Sequence, residues 1–372
     1  MKKILFIILG MLFLSTVIFA FPQSPNTYRG LRPLGMGNAF IAVADDQNAL
    51  SYNVAGLNDV EKWRVEILNP TFEVSLTVYD IIKEVLEIVD EMDSSSSSTD
   101  QSEIIEDVVD ANLGRLTTLR AAISPSFTMK NFGIRFLGDA RGRFHIRNSV
   151  FPNVYYTGKA DVGMMLGGAY GLWDKALQFG LGLKPMYRLS TGEVVLGAHN
   201  LSTLEDEVTD FHTGFGVGVD VGLKSHLDAV ATKADLSPKV LRVMNFLRPM
   251  VGLTYQDIAN TRFQDADSNK QTIGLGTAVH MDWKVIKNTF AIDFRDLTWS
   301  SPFISKLCIG WETWFDKYFA LRFGVHQGRP SGGLTLDLWL FKLEGAIYAE
   351  EIGEYNRVKG DYRGALQLVL GF

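Results

Sequence analysis

The last eleven residues, Tyr362–Phe372 (YRGALQLVLGF), restrict the fold more than any other stretch of the chain. Tyr362, Leu366, Leu368, Leu370 and Phe372 fall on one face of an extended strand, with Gly364 in the same row; Arg363, Ala365, Gln367, Val369 and Gly371 fall on the other. The period is two, not 3.6. A strand that is apolar on one side, small or polar on the other, and ends on an aromatic residue fits the wall of a membrane β-barrel. The closing strand of a soluble sandwich is the alternative, and the rest of the chain decides between them.

The same alternation recurs throughout. Phe215, Val217, Val219 and Val221 alternate with Gly214, Gly216, Gly218 and Asp220; Phe290, Ile292 and Phe294 with Ala291, Asp293 and Arg295; Phe319, Leu321 and Phe323 with Ala320, Arg322 and Gly324; Leu334, Leu336, Leu338 and Leu340 with Thr335, Asp337 and Trp339. The second face is too thin and too charged to build a dry core, so the economical arrangement is inverted, with apolar residues toward lipid and polar ones toward a lumen. Strands are placed near 62–78, 116–128, 132–147, 153–172, 177–191, 211–225, 248–261, 271–284, 288–299, 306–315, 318–327, 333–341, 343–350 and 361–372. The fold class is therefore all-β, a transmembrane antiparallel barrel of about fourteen strands, an even number that leaves both ends on the periplasmic side. Tight turns are expected at 129–131, 173–176, 285–287, 316–317 and 341–342. Trp173, Trp283, Trp299, Trp311, Trp314 and Tyr318 cluster near strand ends, where interfacial girdle residues belong.

Residues 1–20 read as a secretory signal peptide: Lys2 and Lys3, an apolar stretch from Ile4 to Phe19, and a cleavage site ending at Ala20. Its removal takes the formal charge from −6 to −8 by loss of the two lysines, which disfavours nucleic acid as a partner. The one cysteine, Cys308, forms no internal disulfide and reads as a small strand residue. Length alone admits one large barrel or two soluble domains. Hydrophobic residues are 47% of the chain, yet no second run reaches the ~18 residues of a membrane helix, and alternation in a barrel is how such content is distributed. Two segments depart from strand rhythm. Residues 79–114 carry Ile81, Ile82, Val85, Ile88, Ile104, Val108 and Leu113 at helical spacing around the Ser94–Ser98 run, a helical insertion in the first extracellular loop. It reads as a cap over the barrel mouth, or as an apolar landing surface for a greasy ligand. Residues 226–247 form a second helical insertion, on the periplasmic side.

Between signal peptide and first strand, residues 21–60 contain Gly30-Leu-Arg-Pro-Leu-Gly-Met-Gly37-Asn-Ala-Phe, then Ala44-Asp-Asp46, then Asn53-Val-Ala-Gly-Leu57. This series resembles the N-terminal hatch of the long-chain fatty-acid transporter family (FadL/TodX) and of its PorV-like relatives in protein secretion. The resemblance implies a hatch inside the lumen of a barrel spanning 61–372, with Gly35, Gly37, Asp45, Asp46, Asn53, Ala55 and Gly56 as gate elements. Gly35 and Gly37 permit close backbone approach or positive φ. Asp45 and Asp46 can meet loop amides or lumen arginines such as Arg322 and Arg363, and Asn53 can form an Asx-turn. Asp293, Arg295, Arg322, Asp337 and Arg363 are the expected polar lumen residues. The family's N-P-A is Asn53-Val54-Ala55 here, so its rigid proline is missing. The terminal strand resembles the closing strand of bacterial outer-membrane barrels, which implies that Phe372 is a signal read by the barrel-assembly machinery. The function implied is passive passage of hydrophobic molecules or lipids, such as long-chain fatty acids, across the outer membrane; a partner role in secretion or surface attachment is the alternative.

Other motifs carry less. Gly214-x-Gly216-x-Gly218 lies mid-strand with no following helix and reads as a lumen face with room for the plug. Asp265-x-Asp267-x-Asn269 begins like a calcium loop, but Lys270 and Gly276 stand where glycine and glutamate are required, so it reads as a solvated surface loop. The six histidines show no metal-ligand spacing, and no nucleophile stands beside a histidine. No metal, cofactor or enzymatic activity is expected.

Overall fold

A computed structural model describes residues 28–78, 83, 116–147, 153–192, 194–197, 211–299, 302–351 and 360–372. The expected signal peptide, most of the expected 79–114 insertion and residues 198–210 and 352–359 lie outside them. Fourteen antiparallel strands close into a barrel. We number them β1 (Arg64–Leu68 with Thr71–Ser75), β2 (Leu116–Ile123 with Ser126–Met129), β3 (Phe132–Arg147), β4 (Asn153–Leu172), β5 (Leu177–Thr191 with Val194–Gly197), β6 (Phe211–His226), β7 (Met250–Gln256), β8 (Thr272–Trp283), β9 (Ile286–Phe294), β10 (Leu307–Phe315), β11 (Phe319–His326), β12 (Arg329–Asp337), β13 (Phe341–Glu351) and β14 (Gly360–Gly371). Each pairs with the next, and β14 returns to β1 through the register Gln367↔Thr71 to Arg363↔Ser75. Closure removes the free edge that lipid could not solvate.

The alternation read from the sequence sets which side faces where. Along β14, Asp361, Arg363, Ala365, Gln367 and Val369 are buried, whereas Tyr362, Leu366, Leu368 and Phe372 are exposed on the outside. Short turns gather at one rim, called the turn end; several are opened by residues with positive φ, among them Asn131, Asp174, Lys284, Asp316 and Trp339. Between β6 and β7 the chain leaves this rim as two helices rather than a turn, α3 (Leu227–Lys233) and α4 (Pro238–Leu247). At the opposite rim, the mouth, the β7–β8 connection carries a small hairpin, Thr261–Phe263 paired with Ala266–Asn269.

Two strands are broken by proline, which has no N–H to give the ladder. β1 breaks at Asn69–Pro70 and β2 at Ser124–Pro125, side by side. The Asn69 side chain replaces the missing rungs: Nδ2 donates to the Ser124 carbonyl at 2.7 Å, and Oδ1 accepts from the Ser124 N–H at 2.6 Å. The wall is continued there by a side chain.

Several expectations need correction. β12 spans Arg329–Asp337 rather than 333–341, and the turn is Leu338–Leu340 rather than 341–342. Those three apolar residues continue the period of two, but an apolar turn is tolerated where the rim meets the membrane interface. Trp314 faces the lumen, where the Arg322 guanidinium lies 5.6 Å from its ring centre, and Trp299 is held in the mouth loop by the Gln271 carbonyl. The turn-end girdle consists instead of Trp63, Trp173, Trp283, Tyr318, Trp339 and Phe372, all exposed. The loop at 263–270 is not wholly solvated, because Phe263 and Asn269 are buried in the lumen.

Replacing Asn69 with Ala leaves the Ser124 backbone pair buried and unpaired, which costs about 1–3 kcal/mol for each such group. The Asn69→Ala barrel is expected to lose its folded, fast-migrating gel form at a lower temperature than the wild type; an unchanged transition would remove Asn69 from the account of the wall.

Candidate functional site: the segment inside the lumen

Residues 28–60 lie in the lumen, with Arg29 beside Glu350 near the mouth-side end of β13 and Asp59 and Val60 at the turn end, and are buried almost throughout. They comprise α1 (Leu31–Gly35), α2 (Ala49–Tyr52) and a 3-10 turn, Val54–Asp59. Side chains fill the segment's own centre: the Phe40 and Tyr52 rings meet edge to face at 5.5 Å, and the Tyr52 hydroxyl donates to Asn38 Oδ1. Its outer surface lies on lumen glycines. Leu50, Val54 and Leu57 sit over Gly167, the Ala55 backbone over Gly180, Asn53 over Gly222, Ile41 over Gly252 and Gly276, Met36 over Gly310, Gly37 over Gly324, and Gly35 over Gly333. A side chain at these wall positions would occupy the space the segment uses. Gly37 itself needs to be glycine twice over, since φ is +59° and an added Cβ would come within 2.5 Å of both the Ile309 carbonyl and the Val325 N–H. Gly35 has the close approach alone, its added Cβ lying 3.0 Å from Gly333 Cα.

Polar contacts fasten the segment to the wall. Arg32 is the hub: Nε and Nη2 grip Glu312 at 2.8 and 2.7 Å, while Nη1 reaches Asp45 at 2.6 Å and Asp46 at 2.9 Å. Glu312 also receives Arg322 Nε at 2.6 Å. Asp45 and Asp46 thus pair with an arginine of their own segment, and not with Arg322 or Arg363. Asp293 Oδ2 accepts the Phe40 and Ile41 N–H groups at 2.6 and 2.7 Å. The Arg295 guanidinium lies over the Tyr52 ring at 4.7 Å. Arg363 is held by Glu73, Asp361 and Glu350, and Glu350 in turn pairs with Arg29 of the inner segment. Asp337 sits at the turn end against Arg64, 3.2 Å away, apart from this cluster. Phe372 closes the rim beside Trp63, ring centres 5.6 Å apart.

Asn53 does two jobs. Its Oδ1 accepts from the Ala55 N–H at 3.2 Å, an Asx-type turn that opens the 3-10 helix; its Nδ2 donates to the carbonyls of Ile41 and Leu223 at 3.0 Å each. The chain direction that a proline would impose at Val54 is set here by this side chain. Gly56 continues the turn through its N–H to the Asn53 carbonyl, and an added Cβ there would run into the Ala44 carbonyl.

Sequence reasoning passed over Arg32, Glu312, Lys224 and Asp59. Lys224 donates to the Val43 and Ala44 carbonyls at 3.2 and 2.9 Å and pairs with Asp59 at 2.9 Å; Asp59 also meets Lys175 and His226. The available signal was a charged residue in lumen phase on a glycine-rich strand. The Gly214–Gly218 track was read correctly as space, but its occupant is different: Gly214 and Gly216 lie against Phe263 and Arg262 of the mouth hairpin. Arg188 clamps that hairpin, its guanidinium 4.0 Å from the Phe263 ring centre and its Nη2 donating to Asn269 at 2.8 Å.

Beneath the inner segment, a cavity of about 640 Å³ opens at the turn end, lined by charged groups including Arg32, Asp45, Asp46, Asp59, Lys224 and Glu312. Such a lining stabilises water and ions rather than a greasy solute. Among the described residues no cluster of three His, Cys, Asp or Glu side chains is placed to hold a metal ion. Cys308 is buried in the lumen with Sγ 3.1 Å from His326 Nδ1, a cross-strand contact.

Solved structures share this architecture. The CymD monoaromatic hydrocarbon channel superposes with a TM-score of 0.50 over 92% of this chain and 95% of that one, at 10% identity. The P. putida toluene transporter TodX gives a TM-score of 0.50 over 94% and 99%, at 11% identity. A TodX mutant described as a monoaromatic hydrocarbon channel gives 0.51 over 92% and 98%, at 11% identity. No protein-family model matches the sequence, and no curated protein matches it.

Two outcomes follow. Asp293→Asn removes the charge from two hydrogen bonds, which are worth about 1.5–3 kcal/mol each when one partner is ionised; vesicles carrying this variant are expected to leak small sugars faster than wild type, and equal leakage would free Asp293 from any role in seating the segment. Burial alone would raise the Asp59 carboxyl, but Lys224 and His226 overcome it and hold it below the usual carboxylate range. Its stabilisation is therefore present above the ordinary value of about 4 and is lost as pH falls from there toward the depressed folded value. Protease protection of residues 28–60 should persist from neutral pH to about 4 and fall only below it; Asp59→Asn should weaken protection at neutral pH and flatten the acid limb.

Proposed function

We propose, from a fold shared with FadL/TodX-type channels, that this chain is an outer-membrane channel for hydrophobic small molecules, closed at rest by residues 28–60. The observation that carries this reading is the mode of closure. The segment fits the glycine track closely, packs on wall residues such as Met165, Met186 and Tyr348, and is fastened to the wall by a set of separate ion pairs and hydrogen bonds. Those polar contacts can be exchanged one at a time while the backbone ladder of the wall stays paired, so the segment can shift without the barrel unfolding. A solute with affinity for the membrane would enter at the mouth, pass when the segment shifts, and need no energy source beyond its own concentration gradient. Long-chain fatty acids and monoaromatic hydrocarbons are the two ligand classes the reading accommodates, the first from the hatch-like sequence and the second from the channels of like fold.

The test is uptake of a labelled long-chain fatty acid and of labelled toluene into cells with and without the chain, beside Val54→Pro and Arg32→Ala. Chain-dependent uptake of either label supports the reading, and Arg32→Ala is expected to raise basal passage several-fold by releasing Glu312, Asp45 and Asp46. A barrel shown folded in the outer membrane that takes up neither label would end the channel reading.

A further inference from the structure

The turn-end helical hairpin has no part in closing the lumen, yet it carries an apolar surface. α4 packs on α3 and on β8, and Arg248 at its end pairs with Asp282 of β8. Leu241, Met244 and Leu247 are half-buried on the side toward the protein. The adjoining side carries Val240, Val243 and Phe246, which are 38%, 54% and 53% exposed. No residue of α4 is fully buried, so roughly half of its broad apolar arc faces away from the protein. Arg242 borders that arc and Lys239 lies in it one turn before Val243, both exposed, and α4 contains no acidic residue in a chain whose net charge is −6. Beside it, at the end of β8, Trp283 and Val285 are 54% and 63% exposed, in the same outer girdle as Trp173 and Trp339.

We propose that α4 is an interfacial helix, laying Val240, Val243 and Phe246 into the headgroup–acyl boundary of the turn-end leaflet, with Lys239 and Arg242 on anionic phospholipid headgroups. Two features select lipid as the occupant. The helix packs on β8, which ends at the exposed girdle residue Trp283 with Val285 in the turn that follows, so the surface beside it is already membrane. Its rim is basic, opposite in sign to the chain as a whole, as attraction to anionic headgroups requires. Seating α4 in the leaflet also fixes α3, whose Asp228 and Ala229 line the turn-end cavity. The inference depends on the barrel being in a membrane and not on what it conducts.

The test uses the full mature chain refolded into vesicles of phosphatidylcholine, or of equal parts phosphatidylcholine and phosphatidylglycerol. V243C carries an environment-sensitive fluorophore; Cys308 is fully buried, so unmodified protein treated with the dye serves as the blank. Heat-modifiable gel mobility confirms that each variant is folded. The expected result is blue-shifted emission quenched by lipids bearing a spin label near the headgroup, more strongly in the anionic vesicles. V243C with K239E and R242E should lower that membrane partition roughly tenfold or more in anionic vesicles. Quenching by aqueous iodide alone would overturn the proposal, since the helix would then stand in water. Shielding from both quenchers would overturn it as well, because protein would be covering the face. Equal lipid quenching in the two vesicle types would overturn the assignment to anionic headgroups.

Discussion

Closure of the sheet between β1 and β14 is the constraint on which everything else depends. In hydrocarbon an unpaired backbone N–H or C=O has no partner, so a strand protein can cross only as a closed ladder. Closure assigns one face of every strand to lipid and the other to the lumen, and the period of two then fixes each side chain's surroundings. The Asn69–Ser124 pair shows how strictly the rule is kept. Where Pro70 and Pro125 interrupt two adjacent strands, a side-chain amide carries the hydrogen bonds that the backbone cannot.

Closure also creates the lumen problem. The inner face is made of glycine and charge, and such a surface buries no core of its own. It is completed from within. Residues 28–60 supply much of the apolar interior, built around Phe40 and Tyr52, while the wall contributes space through its glycines, apolar contacts through residues such as Met165, Met186 and Tyr348, and polar contacts through Glu312, Asp293 and Lys224. The mouth hairpin repeats the arrangement, with Phe263 on Gly214 and Gly216 and Arg188 as its clamp. The two inserts use one strand, β6, at different heights: Gly222 for the first and Gly214–Gly216 for the second.

The polar fastening differs in kind from the wall. Wall contacts are backbone ladders that break together. The contacts of Arg32 with Glu312, or of Asp293 with two amides, are separable, and the first borders the charged cavity at the turn end.

The sequence by itself determined the strand class, the strand count and the side that most strand residues face. Period-two alternation is a local property, and in β14 it assigns Arg363 inward and Leu366 outward without reference to any neighbour. Partner choice was not local. Asp45 and Asp46 read as partners of loop amides or of lumen arginines such as Arg322 and Arg363; Asp46 does accept the Asn48 N–H, but the arginine both meet is Arg32, because which charged group lies level with α1 depends on the stagger of β10 against the inner segment. The same reason explains why Gly214–Gly218 could be read as space but not assigned an occupant, and why Leu338–Leu340 continued a strand pattern where the chain turns. Tertiary structure decided those points, since they depend on distances between strands far apart in sequence and on where the rim meets the membrane interface.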